Sequence, residues 1–335
     1  MKNTLKAAPT ARSWTERLAG KTVSLFGERI QLFILLALFL LTFSAYIPAL
    51  KSGFIWDDDR YPQNPVLTEQ GSLKKIWSLA QTDQYYPLTF TTFWLERRVW
   101  GLDPAGYHAV NVLLHVMNAL LAFAVLRKLK VPGAQLAAFL FALHPVHVES
   151  VAWVTERKNV LSTFFYLLSI LAYLRAEDWE DRKSYWASFA AFILAMLAKT
   201  TAITLPAALF IIHWYRGLPL DRRFIFKTLP FVLAAAVFAP VTILIEAYYS
   251  GATGFEYDIS FPQRLIVSAH AVFFYIAKLL WPRRLVFNYE HWAPDASSPL
   301  QWGWVVLLIV AAAAIWRSRR RFGDGPSAAA AFFLI

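Results

Sequence analysis

Apolar runs about as long as a bilayer is thick recur along this chain, and the charged residues gather in the shorter stretches between them. The first, residues 30–50 (IQLFILLALFLLTFSAYIPAL), contains no charge. Roughly 20 apolar residues at about 1.5 Å rise each cross a hydrocarbon core, so this run predicts a spanning helix. It exceeds the ~7–15 apolar residues of a cleavable signal peptide and reads as an uncleaved anchor. The same pattern predicts helices at 107–126, 133–149, 159–175, 184–198, 200–216 and 228–248, and a further span at 301–316. The expected fold class is an all-α polytopic membrane protein.

Charge gives the bundle an orientation. The leader, residues 1–29, carries Lys2, Lys6, Arg12, Arg17, Lys21 and Arg29 against Glu16 and Glu28, and a basic flank stays in the cytoplasm. Alternation then puts Arg127–Lys130 and Arg216–Lys227 inside and residues 51–106 outside. Residues 260–282 are apolar enough to span but contain Arg264, His270 and Lys278. An interfacial or re-entrant helix there keeps Arg317–Arg321 cytoplasmic, and is the favoured reading. The external stretch 51–106 is far longer than the ~12–15 residues above which a loop is usually functional or disordered. Its Trp56, Trp77, Tyr85, Tyr86, Trp94 and Trp100 argue that it folds at the membrane surface. The final AAAAFFLI begins another apolar segment, which predicts a longer protein.

Composition narrows the class. With 58% hydrophobic and 16% charged residues, the net charge of +11 is accounted for by topology, and no nucleic-acid partner is expected. Cysteine is absent, which excludes disulfides and thiolate chemistry.

Two constellations carry candidate chemistry. In GFIWDDDRYPQNP (53–65), Asp57, Asp58 and Asp59 stand just outside the first helix. A carboxylate there can accept a proton from a hydroxyl if its surroundings tune its pKa. The same triplet is also what an acidic cap in a solvated loop looks like, and the Asp57/Asp59 spacing could hold Mg²⁺ or Mn²⁺. In HPVHVESVAWVTERKN (144–159), His144, His147, Glu149, Glu156, Arg157 and Lys158 fall between apolar segments, where ionisable groups mark functional sites. Metal ligation by His144 and His147 is disfavoured by Pro145 between them and by the lack of a third ligand. Arg157 could grip a phosphate bidentately, with Lys158 as a point charge; snorkelling is the structural alternative for both. Lys199, between two apolar runs, could meet a phosphate or one of the aspartates. Tyr107, His108, Asn111, His115 and Asn118 share a helical face, and interhelical hydrogen bonding is the leading explanation.

GFIWDDDRYPQNP, YYPLTF, WGLDPAGYHAVNVLLHVMNALL, HPVHVESVAWVTERKNVLSTFFYLLSILAYLRA and AKTTAITLPAALF occur in the order seen in the transmembrane and tetratricopeptide-repeat-containing O-mannosyltransferases, whose bacterial relatives this chain resembles. The resemblance covers about residues 30–335. It implies a C-type glycosyltransferase helical bundle, preceded by the cytoplasmic leader 1–29, and a tetratricopeptide domain after residue 335. It also implies a paired carboxylate in the first external loop as the catalytic element, which maps onto Asp57 and Asp58. Two positions depart from the family: Thr200 follows Lys199 where an acidic residue is usual, and Asp59 makes the acidic pair a triplet.

The expected activity is transfer of a hexose, mannose in particular, from a polyprenyl-phosphate donor to a Ser or Thr hydroxyl of a protein acceptor. It would occur on the non-cytoplasmic face of a bacterial or endoplasmic-reticulum membrane. Arg157, Lys199 and His147 would hold the donor phosphate, with His144, Glu149 and Asp59 as further candidates; no cofactor is firmly implied beyond the open Mg²⁺ or Mn²⁺. The rival readings are a flippase for lipid-linked sugar, which would more naturally show an inverted repeat, and an anchor for C-terminal repeats.

Overall fold

A computed structural model describes residues 14–79, 84–176, 181–249, 259–290 and 292–335; the first half of the leader and the side chains of residues 14–28, 246–249 and Asp59 lie outside the described part. The described residues contain no strand. In chain order the α-helices are α1 (Trp14–Ala45), α2 (Ser72–Ile76), α3 (Pro87–Trp100), α4 (Pro104–Lys128), α5 (Ala134–Leu143), α6 (Val148–Ala152), α7 (Arg157–Arg175), α8 (Arg182–Ala198), α9 (Leu205–Tyr215), α10 (Arg222–Tyr249), α11 (Phe261–Leu280), α12 (Pro299–Phe322) and α13 (Gly325–Phe333). Short 3₁₀ turns join several of them. Of these helices, α4, α11, α12 and Arg222–Ile245 of α10 are long and apolar enough to cross a membrane. The chain is an integral membrane protein.

Local chemistry explains the boundaries. α4 starts where Asp103 accepts a hydrogen bond from the Ala105 N–H (3.1 Å), with Pro104 at its first position, and ends on Arg127 and Lys128, cations that suit a helix C-terminus. The predicted helix 133–149 is corrected: α5 stops at Leu143. Pro145 disfavours helical geometry in the residue before it, and His144 is extended (φ −69°, ψ 128°). At about 1.5 Å per residue, α5 reaches about halfway through a hydrocarbon core. The long stretch 51–106 contains a helix the pattern did not predict, α3, whose Phe90 and Phe93 join Tyr61, Leu67, Ile76, Tyr107 and Val154 in a core of their own.

The main core lies among α7, α8, α9 and α10, around Ile170, Leu174, Phe192, Met196, Leu205, Leu209 and Phe231. α7 and α8 approach closely where Ser169 and Ser188 each donate to the other's carbonyl at 2.8 Å, the small-residue packing that membrane helices favour.

The helices share two ends. At one, Thr89 donates to the Ala198 carbonyl (3.0 Å) and the Thr200 and Thr242 hydroxyls meet at 2.8 Å. At the other, Lys227 bonds the Ala176 carbonyl, Tyr185 donates to the Lys227 carbonyl (3.0 Å), and Trp214 stacks on Trp316 (6.3 Å between centroids). The last turn of α11 returns to the first end, where His144 Nε2–H donates to the Leu279 carbonyl (2.8 Å). The strap after it lays Phe287 against Trp56 (5.1 Å) and Trp153 (4.8 Å), then runs back to α11, where Gln263 donates to the Pro294 carbonyl (2.9 Å).

Candidate active site

The acidic stretch enters through a strained residue. Trp56 has φ +49°, a conformation that a bulky side chain adopts only when its surroundings enforce it, at a cost of about 1–3 kcal/mol. The next residues turn in a short 3₁₀ helix, and this turn sends the two neighbouring carboxylates to different environments.

Asp58 is fully buried. Its Oδ1 accepts from both the N–H (2.9 Å) and hydroxyl (2.6 Å) of Thr155, and its Oδ2 accepts from the Ile55 N–H (2.8 Å). These bonds tie the acidic turn to the segment between α6 and α7. Asp57 is half-buried, and its Oδ1 is enclosed with no hydrogen-bond partner among the described residues. Burial pushes its carboxyl above the ordinary range; the charge of Lys158 opposes that shift and Asp58 adds to it. Of the predicted catalytic pair, Asp57 keeps an oxygen without a hydrogen-bond partner among the described residues, whereas Asp58 is occupied in holding the turn.

Arg157 differs from the expectation. It is completely buried, and a guanidinium has five N–H groups. Nη1 donates to Glu96 (2.5 Å) and Thr92 (3.3 Å), Nη2 to Glu96 (3.2 Å) and the Tyr107 carbonyl (2.9 Å), and Nε to Asn111 Oδ1. All five are committed within the protein, so no donor remains for a phosphate. Arg157 instead locks α3 and α4 to the start of α7, and Asn111 extends the lock by donating to the Trp153 carbonyl (3.0 Å).

Two lysines lie beside it. Lys158 pairs with Glu156 (3.0 Å) and lies over the Tyr61 ring (4.9 Å). Lys199 donates to Asn159 Oδ1 (2.5 Å) and lies 4.0 Å from Glu156. Glu149 is near enough to Glu156 and Lys199 to feel both, and burial together with the Glu156 charge raises its pKa. A row of charges thus runs from Asp57 through Lys158 and Glu156 to Lys199. The predicted set Arg157, Lys199 and His147 is split: only Lys199 belongs to this row. His147 packs on Phe141 (4.6 Å) and His115 (5.5 Å) in an adjoining cavity that Asn159 also lines.

His144 is placed structurally. Its Nδ1 accepts from the Val146 N–H (3.2 Å) while Nε2 holds Leu279, so both nitrogens are used. No three His, Cys, Asp or Glu residues among those described gather closely enough to hold a metal ion. The Mg²⁺ or Mn²⁺ site expected from the Asp57/Asp59 spacing includes the Asp59 side chain, which lies outside the described part.

Sequence reasoning missed Glu96 and Thr155. Glu96 is the sole acid in the apolar and basic stretch TTFWLERRVW, a signal for a buried partner that was available. Nothing in the pattern marks Thr155 as the residue that takes Asp58.

Compared with known proteins, residues 87–245 match a family described as dolichyl-phosphate-mannose-protein mannosyltransferase. The chain is similar to Protein O-mannosyl-transferase Tmtc1 of Drosophila melanogaster, at 34% identity over 177 residues, 49% of this chain and 21% of that protein. It is similar to Protein O-mannosyl-transferase TMTC4 of Homo sapiens at 34% over 185 residues, 45% of this chain and 25% of that protein. For TMTC3 of Homo sapiens the identity is 29% over 179 residues, 48% of this chain and 19% of that protein. The matched stretch therefore spans a quarter or less of these relatives' length. No solved structure matches the chain.

Proposed function

We propose that the chain, which is similar to protein O-mannosyl-transferases over about half of its length, transfers a hexose, mannose in particular, from a polyprenyl-phosphate donor to a Ser or Thr hydroxyl of a protein. Asp57 removes the hydroxyl proton as the oxygen forms its bond to the anomeric carbon. The bond from that carbon to the phosphate oxygen breaks, configuration inverts, and polyprenyl phosphate leaves as an anion. Lys158 and Lys199 offset the charge that develops on it. The leaving group is already stable as an anion, so no strong general acid is required.

The observation that carries this reading is the contrast within the carboxylate pair: Asp57 alone combines partial exposure, an unpartnered oxygen and a raised pKa. The end of the bundle that bears Asp57 is opposite the end where Trp214 and Trp316 stack beside Arg319. By the positive-inside tendency, the site then faces away from the cytoplasm, where lipid-carried sugar is available. The test is incubation of purified protein with radiolabelled mannosyl-phosphoryl-polyprenol and acceptor peptide. Labelled peptide is expected from the wild type, with a loss of about 10²–10⁴-fold in Asp57→Asn. An Asp57→Asn variant working at the wild-type rate would refute the assignment. A flippase would move the lipid without labelling peptide.

A further inference from the structure

A cavity of about 240 Å³ opens between α4, α7 and the turn that follows α5, next to Lys199 but walled without any Asp, Glu, Lys or Arg. It exceeds the ~150 Å³ hole that takes up benzene and falls below the ~300–1,000 Å³ of drug-sized pockets. That is room for one six-membered ring with its substituents. The wall is polar as well as neutral: Asn118, His147, Ser150, Asn159, Thr163 and Thr201 contribute to it.

Several of these groups have hydrogen-bonding capacity left over. Asn118 is almost completely buried; its amide N–H₂ donates to the Val160 carbonyl (2.8 Å), while its Oδ1 is enclosed without a partner among the described residues. A buried acceptor left unpaired costs about 1–3 kcal/mol, and a ligand O–H would satisfy it. Ser150 accepts from Asn159 Nδ2 (3.1 Å), which leaves its own O–H to donate. The Phe141 ring adds an apolar surface. Neutral donors and acceptors around an aromatic face suit a polyol ring. A phosphate would find no cation on this wall.

We propose that this cavity holds the transferred sugar as an uncharged hexose, with its hydroxyls on Asn118, Thr163 and Thr201 and its phosphate directed out towards Lys199. The link between the two subsites is Asn159, which lines the cavity and accepts the Lys199 ammonium on Oδ1 (2.5 Å). This assignment rests on the donor class proposed above, and it is tested without turnover.

The full chain in nanodiscs is titrated with labelled mannosyl-phosphoryl-polyprenol, displaced either by the unlabelled sugar lipid or by bare polyprenyl phosphate. The wild type is expected to prefer the sugar lipid. In Thr163→Val/Thr201→Val, which removes two hydroxyls at nearly constant volume, that preference should fall about tenfold, the scale of one to two hydrogen bonds, while bare polyprenyl phosphate binds as before. Thr163→Leu, which fills the cavity, should have the same effect and stands in if the double variant is unstable. Lys199→Met should weaken both lipids alike. Unchanged preference in the folded variants, or no preference in the wild type, overturns the pocket. Preference without labelled peptide would refute the proposed transfer and leave the pocket standing.

Discussion

An asparagine at position 58 would keep one oxygen for Thr155 but turn an amide N–H₂ towards the Ile55 N–H, donor against donor. Asp58→Asn is therefore expected to cost about 1–3 kcal/mol, read as a lower melting temperature, with activity reduced through the displaced turn. Asp57→Asn should behave in the opposite way. A raised folded pKa means the folded state holds the proton more tightly than the unfolded chain, so the ionised form of Asp57 weakens the fold at neutral pH. That penalty disappears as pH falls through the raised value. Asp57→Asn should melt at or above the wild-type temperature while losing transfer, the trade common at active sites. The same shift fixes a pH profile: transfer needs ionised Asp57, so kcat/KM should fall on the acid side through a pKa above the ~3.9 of an ordinary aspartate. An acid limb at or below that ordinary value would contradict the role of Asp57.

Between elements, the Arg157–Glu96 pair holds α3 to the start of α7. Removing one member of a buried ion pair leaves the other charge without compensation, at about 3–5 kcal/mol. Arg157→Met and Glu96→Gln should each destabilise by that order in thermal unfolding, and Arg157→Lys should rescue little, because a point-charge ammonium cannot reproduce five directed donors. If Arg157→Met instead left the melt intact and weakened only donor binding, Arg157 would be a ligand after all. This pair also shows where the sequence stopped being informative. The helices were legible because hydrophobic length is a one-dimensional property, and α4, α7, α8, α10 and α12 fall close to the predicted ranges. That Asp57 follows the first apolar helix was legible for the same reason. Which charged groups pair with which was not, because Arg157 meets Glu96 across 61 positions and Asp58 meets Thr155 across 97, and adjacent charged residues look alike until their partners are placed. α3 was not legible in the pattern, because it is short and mixes Thr, Glu and Arg with its aromatic residues.

For the whole molecule, the unresolved choice in the sequence was whether residues 260–282 cross the membrane. Length and composition permit it, but the contacts of the chain on either side point to a helix lying along the face that carries the site. Thr242 near the end of α10 meets Thr200 beside Lys199, Leu279 at the end of α11 meets His144, and Phe287 packs on Trp56. Gln263, in the first turn of α11, bonds Pro294 just before α12 begins. α12 then runs to Trp316 and Arg319 against Trp214 at the basic end. If α11 crossed, Ser260 and Ser297 would be separated by the bilayer; if it lies along the surface, both are on the side of Asp57. The absence of cysteine provides a silent background for testing this with single Ser260→Cys, Ser297→Cys and Ser318→Cys variants in sealed, oriented vesicles. A membrane-impermeant maleimide added to the face that carries the site should label the first two and leave the third, and the pattern should reverse when it is added to the other face. Labelling of Ser260→Cys and Ser297→Cys from opposite faces would make α11 a span, move Arg317–Arg321 relative to the leader, and undo the orientation on which the non-cytoplasmic site depends.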